Sequence, residues 1–145
     1  MEVRIGCDVD GTLTVHHLSV MAERAVNRFF WRVPGFQELF GRISSYMRPN
    51  HAMIDRLKAH RDAGDEIYII CNRPVTLQPR LEGWCGLLGV PYHGIYLPSR
   101  EFPDLTAFKI DCIKAMSIDK HYDDHWHLIN LAVACPPVIC VPASF

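Results

Sequence analysis

The sequence contains no long hydrophobic run, no excess of charge and no closely paired cysteines. No apolar stretch approaches the roughly 18 residues that a membrane-spanning helix needs. The formal net charge is −1, so the overall balance does not call for a nucleic-acid or an anionic-membrane partner. The N-terminal stretch MEVRIGCDVD carries charges at once and is typical of a strand, so we expect no signal peptide.

The six cysteines show no CxxC spacing, which removes a common signature of zinc and redox motifs. Most of them lie inside apolar stretches, where buried and reduced thiols are usual, and we therefore expect a cytoplasmic protein without a disulfide framework. A chain of 145 residues with 49% hydrophobic composition can bury a substantial core. We expect one domain, residues 1–145.

Short apolar, β-rich runs alternate with helical patterns along the chain. The runs are residues 3–9, 66–71, 92–97, 120–123 and 137–141. Helical periodicity predicts helices over residues 51–63, 78–88, 105–117 and 125–134. The middle runs show little polar alternation, as in strands that are covered on both faces. The predicted fold class is α/β, a Rossmann-like parallel five-stranded sheet flanked by helices.

One segment, residues 15–49, does not fit this alternation. It carries a helical pattern of its own, which breaks at Pro34–Gly35, and it predicts a small helical insert after the first strand. The insert is interpreted either as a helical pair packed on the domain or as a small cap over the active site, and the two are compatible. The insert also carries the aromatic run Phe29, Phe30 and Trp31, for which packing within the insert is the simplest explanation.

Two acidic pairs follow predicted strands. Asp8 and Asp10 end the first strand, just before Gly11, which allows a tight turn. Asp123 and Asp124 end the fourth. The carboxyl ends of parallel strands share one edge, where ligands bind, so four carboxylates are expected to converge there. A hard, oxygen-preferring cation is the simplest relief for their repulsion, and Mg²⁺ is the expected cofactor.

Cationic and small polar side chains are expected at the same edge. The run IICNRP ends the second strand with Cys71, Asn72 and Arg73. Lys109 lies near the start of the helix that precedes the fourth strand. A cation at this position can hold an anion and offset the charge of the acidic cluster.

Three histidines surround the second acidic pair in the run HYDDHWH, which raises the alternative of a zinc site. His125 and His127 are two residues apart at a predicted helix start, so they face different directions and make a poor pair of ligands. His121 alternates with Asp123 along the strand and is interpreted as a core histidine with satisfied hydrogen bonds. The sequence therefore favours the aspartates over the histidines as metal ligands.

In this order, the motifs resemble those of the haloacid dehalogenase (HAD) superfamily of phosphohydrolases. The first motif of that family is matched by the run DVDGT, residues 8–12, the third by Lys109, and the fourth by Asp123 and Asp124. The second motif, an apolar strand that ends in threonine or serine, aligns with the strand that ends in Cys71. The resemblance spans residues 3 to about 141.

The resemblance implies a role for each acidic residue. Asp8 would attack phosphorus and form an aspartyl-phosphate, and Asp10 would protonate the leaving oxygen and later activate water. Lys109 would neutralise charge in the transition state. Mg²⁺ would be held by Asp8, the backbone carbonyl of Asp10, Asp124 directly and Asp123 through water.

The phosphate-binding residues implied by the motifs are Gly11, Thr12, Cys71, Asn72 and Arg73. Cys71 departs from the family pattern, because a thiol is a weak hydrogen-bond donor. Asn72 or backbone amides could replace it, so a tolerated variant is the preferred interpretation and impaired catalysis the alternative.

The short chain, the small insert and residues 81–97 look like the deoxyribonucleotidase branch, which makes a nucleotide the expected substrate. Enzymes of that branch are similar in placing aromatics of the insert over a base or sugar, and Phe29, Phe30 and Trp31 are the candidates that the resemblance implies. The pattern also resembles the phosphatase domain of phage-type polynucleotide kinases, which removes 3′-phosphates from nucleic-acid ends, and another small phosphometabolite stays open. A receiver-type signalling domain is disfavoured, because the third strand lacks a phosphate-accepting aspartate. Cys71 alone favours a catalytically silent binding module. A small cap also leaves a site that a second copy could cover in a homo-oligomer.

Overall fold

The computed structural model describes residues 2–15, 33, 35, 48–99, 105–124 and 137–140. The strands are β1 Arg4–Cys7, β2 Thr14–Val15, β3 Arg48–Pro49, β4 Glu66–Ile70, β5 Gly94–Tyr96, β6 Lys120–Asp123 and β7 Val138–Cys140. The helices are α1 His51–Asp62, α2 Gln78–Leu88 and α3 Leu105–Ala115, with a 3₁₀ turn at Val75–Leu77. Within these ranges, no helix combines the length and the apolar character that crossing a membrane requires.

Five of the strands form one parallel sheet in the order β5-β4-β1-β6-β7. The chain runs outward from β1 through β4 to β5 and then returns to build β6 and β7 on the other side. The strand order therefore reverses between β1 and β6, and sheets of this kind bind ligands at the carboxyl ends of the strands next to that reversal. The predicted α/β class with a five-stranded parallel sheet is confirmed.

The predicted elements end within two residues of the observed ones. The run predicted at 120–123 coincides with β6, and the helix predicted at 78–88 coincides with α2. The helix predicted at 125–134 lies outside the described residues.

Hydrophobic side chains cover both faces of the sheet. On one face, α1 and α2 pack on β1 and β4 through a cluster that includes Leu57, Ile69 and Leu81. On the other face, Ile70 packs with Ile113 and other residues of α3. The neighbours Ile69 and Ile70 serve opposite faces because side chains alternate along a strand. Cys7, Cys71 and Cys85 are buried and Cys112 is half-buried, and these four are free thiols.

Asn50 begins α1 and ties it to the loop after β1. Its side chain accepts a hydrogen bond from the Met53 N–H at 3.3 Å and so caps the helix. Its Nδ2 donates to the carbonyl of Thr12 at 2.9 Å. Gly64 follows the end of the helix with a φ of +88°, a conformation typical of the glycine after a C-cap. The start of the helix therefore helps to fix the loop that carries the first acidic pair.

The two ends of the predicted insert are paired with each other. Thr14 faces Pro49 and Val15 faces Arg48 in the antiparallel β2–β3 ladder. The two ends of this segment therefore lie side by side, directly after the loop that follows β1. Most of the insert, with Phe29, Phe30 and Trp31, lies outside the described residues.

Candidate active site

Several backbone hydrogen bonds hold the loop after β1, and three of them converge on one carbonyl. The N–H of Asp8 donates to the Tyr122 carbonyl at 2.9 Å and so extends the β1–β6 pairing by one residue. The carbonyl of Val9 then accepts from the N–H groups of residues 12–14, at 2.9 to 3.2 Å. Gly11 has a φ of +80°, a conformation that glycine adopts without strain. This tight loop presents the first acidic pair at the carboxyl edge of the sheet.

Lys109 lies between the two acidic pairs. Its Nζ is 2.6 Å from Oδ2 of Asp123 and 3.2 Å from Oδ1 of Asp8. All three side chains are buried. Burial works against the charged amine, but the two carboxylates outweigh it and raise the pKa of Lys109. The structure thus brings together a predicted nucleophile, a predicted metal ligand and a predicted catalytic cation.

The pKa values of Asp8 and Asp123 move in opposite directions. Burial raises the pKa of Asp8, and the negative charge of Asp123 raises it further, while Lys109 lowers it only in part. Burial also opposes ionisation of Asp123, but Lys109 and the hydrogen bond from His121 hold its pKa below the ordinary value. The cluster therefore contains more negative charge than one lysine neutralises, as is usual where carboxylates share a cation.

The carboxylates fit a divalent cation. Asp8, Asp123 and Asp124 each offer one ligand atom, and these atoms lie within 4.8 Å of one another. Carboxylate oxygens are the hard ligands that Mg²⁺ prefers, and Mg²⁺ takes few of them because it keeps several waters. The side chain of Asp10 is outside this set, which agrees with a contribution through its backbone carbonyl but does not test it. The order of Asp123 and Asp124 as direct and water-mediated ligands also stays a prediction.

Asp10 is paired with Arg73. Nη2 of Arg73 donates to Oδ1 of Asp10 at 2.8 Å, and Nε donates to Oδ2 at 3.1 Å. Burial opposes the charge on Arg73, but the Asp10 carboxylate more than compensates and raises the pKa of the guanidinium. Sequence reasoning assigned Arg73 to the phosphate, whereas the structure directs it to a carboxylate.

The other predicted phosphate ligands, Gly11, Thr12, Cys71 and Asn72, are neighbours of Asp10 and Arg73 in the sequence. They differ in whether they have a free polar group for a phosphate. Oγ1 of Thr12 and Oδ1 of Asn72 are buried, and neither has a hydrogen-bond partner among the described residues. The N–H of Gly11 is occupied by Oγ1 of Thr14 at 3.2 Å. Cys71 is fully buried in the core, and burial raises the pKa of its thiol, so it offers no thiolate. Their assignment to phosphate stays a prediction.

Sequence reasoning missed the part that His121 plays beside the site. His121 is fully buried, as expected, and its Nε2 lies 3.2 Å from Oδ2 of Asp123. Nδ1 is buried and has no partner within the described ranges, so the ring is only half satisfied. A signal was present in the sequence, since residues two apart on a strand point to the same face. His125 and His127 lie outside the described residues, so the zinc alternative is not tested.

Comparison with known proteins gives likeness of structure but not of sequence. No protein-family model and no curated protein matches the chain. Two chains from structures of the Pnkp1/Rnl/Hen1 RNA repair complex match with TM-scores of 0.71 and 0.72 at 14% identity. They cover 99% and 100% of this chain but only 48% and 44% of their own length.

A class C acid phosphatase from Bacillus anthracis, with tungstate bound, matches with a TM-score of 0.62 at 16% identity, over 99% of this chain and 68% of that one. The chain has the fold of these proteins. It spans less than half the length of the chains that it matches in the repair complex.

Proposed function

We propose that the chain is a Mg²⁺-dependent phosphomonoester hydrolase of the HAD type, which acts through an aspartyl-phosphate. The observation that carries this proposal is the contact of Lys109 with both Asp8 and Asp123, beside the ligand set that Asp124 completes. A buried carboxylate next to a buried cation, within reach of a divalent metal, is suited to attack on an anionic phosphoryl group. The fold shared with an acid phosphatase supports the same chemistry.

In the first step, a carboxylate oxygen of Asp8 forms a bond to phosphorus as the bond to the leaving oxygen breaks. The leaving oxygen keeps the electron pair of that bond and takes a proton from Asp10. Lys109 contacts the nucleophile at 3.2 Å, where its charge stabilises the negative charge that builds up around phosphorus. The products of the step are the free alcohol and phosphorylated Asp8.

In the second step, Asp10 takes a proton from water. The water oxygen bonds to phosphorus, the bond between phosphorus and the Asp8 oxygen breaks, and Asp8 recovers its carboxylate while Asp10 is protonated again. A bound Mg²⁺ would supply positive charge that polarises the phosphoryl oxygens and aligns the phosphate with Asp8. Asp8, Asp123 and Asp124 would hold it, with the backbone carbonyl of Asp10.

The substrate that we propose is a nucleotide, and we propose that residues 15–49 act as a cap over it. The resemblance of residues 81–97 to the deoxyribonucleotidase branch supports the first part. The β2–β3 ladder supports the second, because it starts the insert directly beside the loop that carries Asp8 and Asp10. A cap at this place would cover the phosphate and exclude water from the first step.

A second candidate is removal of 3′-phosphates from nucleic-acid ends. It is favoured by the match to chains of an RNA repair complex at TM-scores of 0.71 and 0.72. The two candidates share every catalytic residue and differ only in what carries the phosphate. A substrate panel therefore separates them.

The test is phosphate release with and without Mg²⁺ from nucleoside 5′- and 3′-monophosphates, 3′-phosphorylated oligonucleotides, sugar phosphates and an aryl phosphate. We expect Mg²⁺-dependent release, fastest from a nucleoside monophosphate. Asp8→Asn should reduce it on the order of 10³-fold or more, because the nucleophile is lost. Asp55→Asn, which changes an exposed carboxylate on α1, is the matched control. Absence of release from every substrate would leave a silent binding module.

A further inference from the structure

The guanidinium of Arg73 holds the carboxylate of Asp10 in one orientation. Two parallel hydrogen bonds, at 2.8 and 3.1 Å, join the guanidinium to both carboxylate oxygens. The side chain of Arg73 is only 4% exposed. A bidentate pair of this kind fixes the plane and the direction of the carboxylate, which a single hydrogen bond or a lysine does not do.

The backbone on either side of Arg73 is also held. The N–H of Cys71 donates to the Tyr96 carbonyl at 3.3 Å, and the N–H of Val75 donates to the Pro98 carbonyl at 3.1 Å. The loop that carries Arg73 is thus tied at both ends to the segment around the end of β5. The loop that carries Asp10 is held as well, so the two residues meet from two tied loops. They differ in exposure: the side chain of Arg73 is 4% exposed and that of Asp10 is 19% exposed, so Asp10 is the partner that can meet a substrate and Arg73 is the one behind it.

We propose that Arg73 is a positioning residue, which holds the Asp10 carboxyl group against the leaving oxygen, and that it does not bind the substrate phosphate. This inference rests on the proposed function. The Nε and Nη2 edge of an arginine is the edge that grips an oxyanion with two bonds, and here that edge is occupied by Asp10. A carboxyl group has about four lone-pair sites and Arg73 takes two, so the proton that Asp10 exchanges has room on another.

The dependence of the rate on the leaving group tests this role. A nitrophenolate departs without protonation, whereas the alkoxide of a nucleoside 5′-phosphate needs a proton. Arg73→Lys keeps the charge but loses the bidentate grip. We expect its kcat to fall about 10²-fold on the alkyl substrate, in the range of general-acid effects. We expect little loss on the nitrophenyl substrate and little change in KM on either. Arg61→Lys alters an exposed arginine–carboxylate pair on α1 and should leave both rates unchanged.

Two further variants keep the test decisive. Asp10→Glu leaves Arg73 intact but displaces the carboxylate by one methylene, so it should show the same dependence on the leaving group even if Arg73→Lys does not fold. In an Asp10→Asn background, Arg73→Lys should cause no additional loss of kcat on the alkyl substrate, because both residues act through one group.

A loss that is equal for both leaving groups, with a raised KM, would instead make Arg73 a phosphate ligand and overturn the inference while the proposed function stands. Additive effects of Arg73→Lys and Asp10→Asn would also overturn it. A wild-type protein that releases no phosphate from any substrate would overturn both.

Discussion

At the scale of the residue, Lys109 is the cation on which the acidic cluster depends. Its Nζ contacts Asp8 and Asp123, and all three side chains are buried. Lys109→Met would keep most of the side-chain volume but leave two buried carboxylates without their counterion. We expect the free energy of unfolding in metal-free buffer to fall by about 3 kcal/mol, since removal of one partner of a buried pair leaves an uncompensated charge.

Chemical denaturation in the presence and absence of Mg²⁺ measures this effect. Added Mg²⁺ should recover part of the lost stability of Lys109→Met, because it supplies positive charge at the same carboxylates. Lys114→Met changes an exposed lysine on the same helix and should move the free energy of unfolding by less than about 0.5 kcal/mol. Equal stability of the two variants would show that the Lys109 contacts are not needed to hold the cluster.

Gly6 leaves room for the ring of His121 because it has no side chain. The two residues are direct partners across β1 and β6, and a Cβ on Gly6 would lie 2.5 Å from Nδ1 of His121. Gly6→Ala must therefore displace a buried ring that also contacts Asp123. We expect a loss of about 1–3 kcal/mol in the free energy of unfolding, as for other overpacked cores, together with reduced phosphatase activity.

Gly83→Ala is the matched control for this prediction, with the opposite expected sign. Gly83 lies inside α2, and a Cβ there would meet nothing within 4 Å. Alanine should stabilise the helix by roughly 0.5–1 kcal/mol, because it restricts the unfolded chain more than glycine does. If thermal melts of the two alanine variants moved in the same direction, the close contact of Gly6 with His121 would be in doubt.

At the scale of the element, Asn50 connects α1 to the loop after β1 and performs two separable tasks. Its Oδ1 caps the helix at the Met53 N–H, and its Nδ2 donates to the carbonyl of Thr12. Asn50→Ala should lower the free energy of unfolding by about 1 kcal/mol through the cap and should also reduce activity, because the loop loses a tether.

Asn50→Asp separates the two tasks. Aspartate still accepts the hydrogen bond of the cap but cannot donate to Thr12. Its free energy of unfolding should stay closer to that of the wild type, while kcat should fall as in Asn50→Ala. Denaturation curves and initial rates of the three proteins decide the matter. Wild-type kcat in Asn50→Asp would show that the bond to Thr12 does not support catalysis.

The elements that could be predicted are those whose packing repeats with a regular period. α2 is the instructive case, because Gly83 and Gly86 weaken its helical pattern. Both glycines face open space, and the helix is held instead by Leu81 and Cys85, which lie four residues apart and are buried in the core. The β2–β3 ladder could not be predicted, since two-residue strands contain no period.

The convergence of Asp8, Asp123 and Asp124 could be predicted from the ends of strands, because parallel topology brings those ends to one edge. The partner of Arg73 could not. Arg73 and Asp10 are 63 positions apart, and only the folded loops show that the guanidinium meets a carboxylate. The contact of His121 with Asp123 could be predicted only in part. The alternation of β6 placed both residues on one face but did not show whether their side chains would touch.

At the scale of the whole molecule, the carboxylates at the carboxyl edge of the sheet outnumber the buried cation, Lys109, that they share. Burial and the neighbouring carboxylates raise the pKa of Asp8 despite Lys109, so the folded protein holds this group under electrostatic strain. An unfolded chain separates the same carboxylates and has no such cost. A divalent cation at the edge would therefore bind the folded state much more strongly than the unfolded one and would stabilise the fold.

We accordingly expect Mg²⁺ to increase the free energy of unfolding by about 2.7 kcal/mol when its concentration is 100 times the dissociation constant. The midpoint of unfolding should rise with it. Asp124→Asn removes a predicted ligand and should respond much less to Mg²⁺ than the wild type does. Asp111→Asn, an exposed carboxylate on α3, should respond fully. Sodium chloride at matched ionic strength controls for screening. A full Mg²⁺ response in Asp124→Asn would place the ion elsewhere on the protein, because this ligand set would then not hold it.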